Sequence, residues 1–220
     1  MSCPKFIGLP DMMRALVPKA RVVSVDFDLR REGFLASFIR LGRTLGESSS
    51  SAECAYLRAK STRSPKPNDR SPVSAEQSPV GPLIGLLGHD YVLDDPYLGM
   101  NLAETLRRLG CRTLRAGDLS VALLEAQRDA FEPVSWFFEE EILCAASAML
   151  RGRLVDGLIH VLSFGCGAGS ITSELVEREI RNGGPVPLMR IVIDEQTGEA
   201  GLETRLESFA DMLALRREPR

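Results

Sequence analysis

Residues Val155–Ser170 read VDGLIHVLSFGCGAGS, an apolar run that ends abruptly in glycines flanking a single cysteine. Leu158, Ile159, Val161, Leu162 and Phe164 suit a strand covered on both faces, and the text from Ser170 onward has the pattern of a helix. A strand that feeds a glycine-rich turn and then a helix belongs to an α/β sheet, with the turn at the strand's carboxyl edge. Backbone N–H groups and loops converge at that edge, so ligands bind there. Cys166 is the residue in that turn whose chemistry most needs an account.

Working outward, the same grammar repeats on both sides. Leu83–Leu87 reads as strand one, Leu102–Leu109 as a helix stopped by Gly110, and Arg112–Leu114 as a short strand two. Ser120 is placed to cap a short helix, and Ser135–Leu150 reads as a long one. Strand three is Gly157–Ser163, followed by a helix over 170–181, strand four at Leu188–Ile193 and a final helix over 202–215. In that last helix Leu202, Leu206, Phe209 and Leu213 share one face. Alternating strands and helices predict a small doubly wound four-stranded parallel sheet of the Rossmann or flavodoxin-like kind, with helices on both faces.

Upstream the pattern changes. Residues 1–20 hold three prolines and little periodicity, and Val22, Val23, Val25 and Phe27 suggest a short strand or extended arm. Phe34, Leu35, Phe38, Ile39, Leu41 and Leu45 recur at helical spacing before Gly46, which predicts a helix over 32–45. Ser51 can cap a second helix that runs to about Lys60. The text STRSPKPNDRSPVSAEQSP, rich in proline, serine and charge, then reads as a flexible linker. The expected organisation is an N-terminal arm with two helices (1–61), a linker (62–80) and an α/β domain (81–217).

Composition excludes several function classes. The chain has 220 residues, 44% of them hydrophobic, and a formal net charge of −3, so no basic surface for nucleic acid is expected. No apolar run is long enough to cross a bilayer, and the N-terminal stretch lacks a secretory-signal pattern, which together predict a cytoplasmic protein without a membrane partner. Five cysteines (Cys3, Cys54, Cys111, Cys144 and Cys166) with no CxxC pair argue against a disulfide framework or a self-contained zinc site.

The loops that follow the four strands share one edge and carry the polar residues. They are GHDYVLDDPYLGMN, AGD, SFGCGAGS and DEQTGEAG. Read as a site, they gather Asp95, Tyr97, Asn101, Ser163, Asp194, Glu195, Thr197, Glu199 and Arg205 beside Cys166. Read as turns, Asp95 caps before Pro96, and Asp194 or Thr197 shapes a tight turn. Cys166 itself has three readings: a small buried filler, a nucleophile at a helix N-terminus, or a metal or cluster ligand. The nucleophile reading lacks a base, since His160 lies inside strand three and His89 on another loop. A lone cysteine cannot hold a cluster, so the ligand reading needs Cys111 or a partner chain. The glycines at 165, 167 and 169 miss the GxGxxG spacing, and no GxxxxGK[ST] loop occurs.

The segments GHDYVLDDPYLGMNLAETLRRLG, SFGCGAGSITSELVERE and IDEQTGEAGLETRLESFADML, within residues 82–214, resemble the C-terminal portion of activase-related proteins of the 2-hydroxyacyl-CoA dehydratase system, 2-hydroxyglutaryl-CoA dehydratase included. VDFDLRREGFLASFIRLGRTLG resembles the helical stretch before that portion. Cys166, Asp95, Pro96, Tyr97, Asn101, Asp194, Glu195, Thr197, Gly198, Glu199 and Arg205 match the family pattern, whereas Asp90, Ala168, Gly169 and Gln196 depart from it. The resemblance implies part of an anaerobic radical dehydration, in which an ATP-driven activator passes an electron to an iron–sulfur dehydratase. For this chain it implies an accessory component or subunit, with Cys166 as one ligand of a [4Fe–4S] cluster shared with a dehydratase or activase partner or with a second copy. The alternative is a non-catalytic α/β module that recognises an acyl-CoA, a nucleotide or a protein.

Overall fold

The computed structural model describes residues 4–25, 32–61, 81–131, 134, 136–183 and 186–217. The chain divides into two compact units, 1–66 and 67–220. The expected linker at 62–80 lies outside the described residues, as does Phe27.

The first unit is helical. The proline-containing N-terminus, whose residues show little helical periodicity, forms α1 (Pro4–Leu16) with Pro10 inside it. Pro4 costs nothing in the first turn, because the N–H groups there have no intrahelical partner, whereas Pro10 lies beyond it and gives up one helical hydrogen bond. Residues 21–25 form no regular element, so the valines there are not a strand. Helices α2 (Phe34–Thr44) and α3 (Ser49–Ser61) form a hairpin. A Cβ on Gly42 would lie 2.5 Å from that of Ala52, which shows how closely the two backbones approach. Phe38 and Tyr56 pack at 5.4 Å between ring centroids. Ser48, and not Ser51, caps α3, its Oγ accepting from Ser51 N–H at 3.1 Å.

The second unit contains strands β1 (Leu83–Leu87), β2 (Arg112–Arg115), β3 (Gly157–Ser163) and β4 (Leu188–Ile193). All pair in parallel in the order β2-β1-β3-β4. Between them run α4 (Asp90–Leu93), α5 (Leu102–Arg108), α6 (Val121–Glu125), α7 (Phe137–Arg151) and α8 (Gly167–Gly183), with α9 (Glu199–Arg217) at the end. Strand residues alternate between two core layers. Ile84, Leu86, Ile159, Val161 and Ile191 meet Leu102 and Leu106 of α5 and Leu202, Leu206, Phe209 and Leu213 of α9. Leu87 and Leu158 meet Leu143, Met149 and Val176 of α7 and α8 on the other side. Helices therefore cover both faces, the doubly wound arrangement.

Strand order and crossover direction together locate a cleft. The chain leaves β1 toward α5 on one face and leaves β3 toward α8 on the other, so the loops at the carboxyl ends of β1 and β3 diverge. In open α/β sheets such a switch point opens the crevice where ligands bind. The β4 side of the sheet is an edge, and it is guarded. Pro187 and Ile193 turn their carbonyls to β3, so that of Arg190 faces outward, where an Arg205 N–H donates to it at 2.7 Å. Covering an edge acceptor in this way discourages pairing with another strand.

Candidate functional site

At the switch point β1 ends in Gly88, whose φ of 153° few side chains adopt and whose Cβ would lie 2.9 Å from the Val161 carbonyl oxygen. Only glycine lets the loop pass this close to β3, and the passage sets His89 against α7. Strand β3 ends in a tight turn through Gly165 (φ 73°), and α8 then begins at Gly167, three residues earlier than the sequence pattern placed it. Cys166 is the residue that caps α8. Its carbonyl accepts Ser170 N–H at 3.0 Å and its Sγ accepts Gly169 N–H at 3.3 Å. A Cβ at 169 would stand 3.3 Å from that sulfur.

These two loops wall a cleft lined by His89, Tyr91, Val92, Glu139, Ile142, His160, Val161, Leu162, Ser163, Cys166 and Gly169, with a cavity of about 10 Å³. Tyr91 Oη and Ser163 Oγ are 3.2 Å apart across it. Phe137 and Phe138, in the first turn of α7, and Phe164, in the loop after β3, are exposed nearby. On the inner wall His89 Nε2 lies 2.9 Å from Glu139 Oε1. Glu139 is 1% exposed and His160 is fully buried. Glu139 Oε2, both ring nitrogens of His160, Thr172 Oγ1 and Ser173 Oγ have no hydrogen-bond partner among the described residues.

The electrostatics of these groups follow from their surroundings. Burial alone would push the Glu139 carboxyl up. The hydrogen bond to His89, the approach of Thr172 short of a formed bond, and the two imidazoles outweigh it, and the net direction is down. Burial lowers His160 from its ordinary 6.5 to about 4; Glu139 opposes the shift, while His89 and Arg190 add to it. His160 is therefore neutral at physiological pH.

Of the residues that the sequence singled out, Ser163 and Cys166 line the cleft. The others mostly hold their own loops. Asp95 Oδ1 accepts the N–H groups of Tyr97 and Leu98 at 2.9 and 2.8 Å, while the Tyr97 side chain stands in solvent. Asn101 adopts φ 52° before α5, a conformation asparagine tolerates. Asp194 Oδ1 accepts from Thr197 Oγ1 and Gln196 N–H at 2.7 and 3.0 Å, and these bonds, the Thr197 one first, hold its carboxyl below the usual range. Glu195 is exposed, Glu199 opens α9 and Arg205 guards the β4 edge. The turn reading thus describes Asp95, Asp194 and Thr197. The sequence reading passed over Tyr91 and Glu139, and it set aside His89 and His160 as bases for Cys166. One signal for Glu139 was available: it shares a helical face with Ile142, Leu143 and Ala146, where a carboxylate is out of place.

The cysteines separate clearly. Cys111 is buried at the amino end of β2, and Cys144 is buried within α7. Desolvation raises both thiols, aided by Asp211 at Cys111 and by Glu140 at Cys144. Cys111 lies at the opposite end of the sheet from Cys166 and does not join it. Among the described residues no group of three or more His, Cys, Asp or Glu side chains is placed to hold a metal. Cys166 is half-buried and meets an N–H donor that supports charge on sulfur as it reacts. Iodoacetamide should label it at least about tenfold faster than Cys111 or Cys144 in the native protein. Peptide mass spectrometry measures the rates, and equal, slow labelling would reduce Cys166 to core packing.

Among the described residues no helix is long and apolar enough to cross a membrane. A search of curated proteins finds no match. The model of the family described as CoA enzyme activase uncharacterised domain (DUF2229) matches residues 1–118. That span takes in the helical first unit and also β1, the His89 loop, α5 and β2, where it overlaps the activase-like blocks. With more than half of its 220 residues matched, the chain belongs to the CoA enzyme activase uncharacterised domain family.

Proposed function

We propose that the chain is an accessory component or subunit of a 2-hydroxyacyl-CoA dehydratase/activase-type iron–sulfur system, working in the cytoplasm of an anaerobic metabolism. In this reading Cys166 supplies one ligand to a [4Fe–4S] cluster shared with a dehydratase or activase partner or with a second copy. The observation that carries it is Cys166 itself. It is a partly accessible thiol at the switch-point edge of a parallel sheet, its sulfur already accepting a backbone N–H. Thiolates that hold clusters are tuned by such N–H donors, and a single thiol at the edge leaves the remaining ligands to the partner. The cluster would supply one-electron transfer. Family membership supports the link to activase-type systems.

The test is anaerobic purification from the native host with iron and sulfide analysis of the complex. Cys166→Ser should abolish iron in that complex while leaving the circular dichroism of the chain unchanged, because serine is close in size and the glycines of the turn are untouched. Full iron retention in the variant overturns the cluster role. The exposed aromatics Tyr91, Tyr97, Phe137, Phe138 and Phe164 on the same edge favour a second reading, a non-catalytic module that binds an acyl-CoA, a nucleotide or a protein. Under it, iron would be absent from wild type as well.

A further inference from the structure

The cleft contains an acid–base pair for which the cluster reading has no use. The chain has two histidines, and both lie near Glu139. His89 Nε2 is hydrogen-bonded to Glu139 Oε1 at 2.9 Å, its side chain 23% exposed against 2% for the glutamate. An ionised carboxylate only accepts, so the proton of that bond belongs to Nε2 and Nδ1 is left as a bare acceptor. Nδ1 makes no hydrogen bond to the described residues. The ring is held further by Tyr91 edge-on at 5.4 Å and by Phe138 at 6.0 Å. A carboxylate that fixes the tautomer and aim of an imidazole on a cleft wall is how proteins hold a general base.

The cavity narrows the choice of partner. At about 10 Å³ it admits one atom the size of a water oxygen, and of the Tyr91 and Ser163 hydroxyls on its wall one donates to the other and the second has its proton for that oxygen. A bulkier group must stay at the mouth, near the exposed rings of Phe138 and Phe164.

We infer that His89, oriented by Glu139, accepts the proton of a hydroxyl carried by a small acyl group seated at this mouth. The hydroxyl proton passes to Nδ1, the O–H bonding pair stays on the substrate oxygen, and the imidazolium is balanced by the Glu139 carboxylate. Return of the same proton restores the resting pair. The acyl part of the assignment rests on the activase-system reading, whereas the pair itself does not.

With two histidines the readout is unambiguous. Nitrogen-15 NMR at neutral pH should show His89 as the Nε2–H tautomer. Diethyl pyrocarbonate should modify His89 at least about tenfold faster than the buried His160. Glu139→Gln should mix the tautomers and slow modification of His89 about tenfold, the scale of a lost charge-assisted hydrogen bond. S-lactoyl-N-acetylcysteamine should shift the His89 ring signals, and S-acetyl-N-acetylcysteamine, which lacks the hydroxyl, should not. An Nδ1–H tautomer in the wild-type protein overturns the pair whether or not the glutamine variant folds, and an unchanged rate in that variant does the same. Equal shifts with both thioesters, or none with either, overturn the hydroxyl assignment. Iron content of the complex reports separately on Cys166, so the pair can stand where the cluster falls, and the reverse.

Discussion

Acidification from neutral pH to about pH 4 is expected to cost the sheet-bearing unit about 3 kcal/mol of stability, and His160→Leu is expected to remove most of that loss. Burial lowers His160 from 6.5 to about 4. In the unfolded chain the ring takes its proton near the ordinary value, while the folded chain resists until pH 4. Between those limits the unfolded state binds more protons, so stability falls as pH falls through that window. At about 1.4 kcal/mol for each tenfold change in proton affinity, the gap is worth about 3 kcal/mol. Glu139 adds a loss of the same sign, but only below its ordinary 4.5, because its folded value is lowered.

Leucine matches histidine roughly in size and removes two buried ring nitrogens that lack partners. His160→Leu should therefore also raise stability at neutral pH, by about 1–2 kcal/mol. Urea unfolding at a series of pH values measures both effects. A variant that keeps the wild-type slope between pH 6.5 and 5 would show that the slope has another source, with His89 the remaining histidine to test. A ring kept at such a cost between the Leu, Ile and Val residues of β3 supports a role in the cleft above it.

The strands β1, β3 and β4 were legible to the residue, because each is an apolar run closed by glycine, proline or a polar turn, and a parallel sheet buried on both faces needs little else. Helix α9 was legible from the spacing of Leu202, Leu206, Phe209 and Leu213, which is the face it buries. Its first turn was not, since Glu199–Gly201 carry no apolar signal. The start of α8 was hidden for the same reason: Gly167 and Gly169 are poor helix formers, and only the three-dimensional turn makes Cys166 a cap. Helix α1 was obscured by its prolines. The edge that holds the cleft followed from topology, and Cys166 and Ser163 with it. The inner wall did not. Glu139 opens a run of three glutamates that reads as a solvated face, and His160 looks like an ordinary residue of a buried strand. Their meeting with His89 spans 50 residues on one side and 71 on the other, a contact that only strand order creates.

Leu206→Ala should cost the same unit about 3 kcal/mol, within the range of about 2–5 for emptying a fully buried leucine site. Leu206 is fully buried against the strand face formed by Ile84, Ile159 and Ile191, beside Leu106 of α5. The exposed neighbour Glu207→Ala should change stability by no more than about 0.5 kcal/mol. The larger loss has a second consequence. Arg205, one residue away, covers the outward carbonyl of Arg190 on the β4 edge, so a loosened α9 frees an acceptor on an edge strand whose Val192 is already exposed. Such edges recruit other strands. Leu206→Ala should therefore scatter light on heating below its unfolding midpoint, and Arg205→Ala should do so with little loss of stability. If Leu206→Ala costs less than about 1 kcal/mol, the core under α9 closes around the gap; if Arg205→Ala stays clear on heating, the edge is protected by something other than that guanidinium.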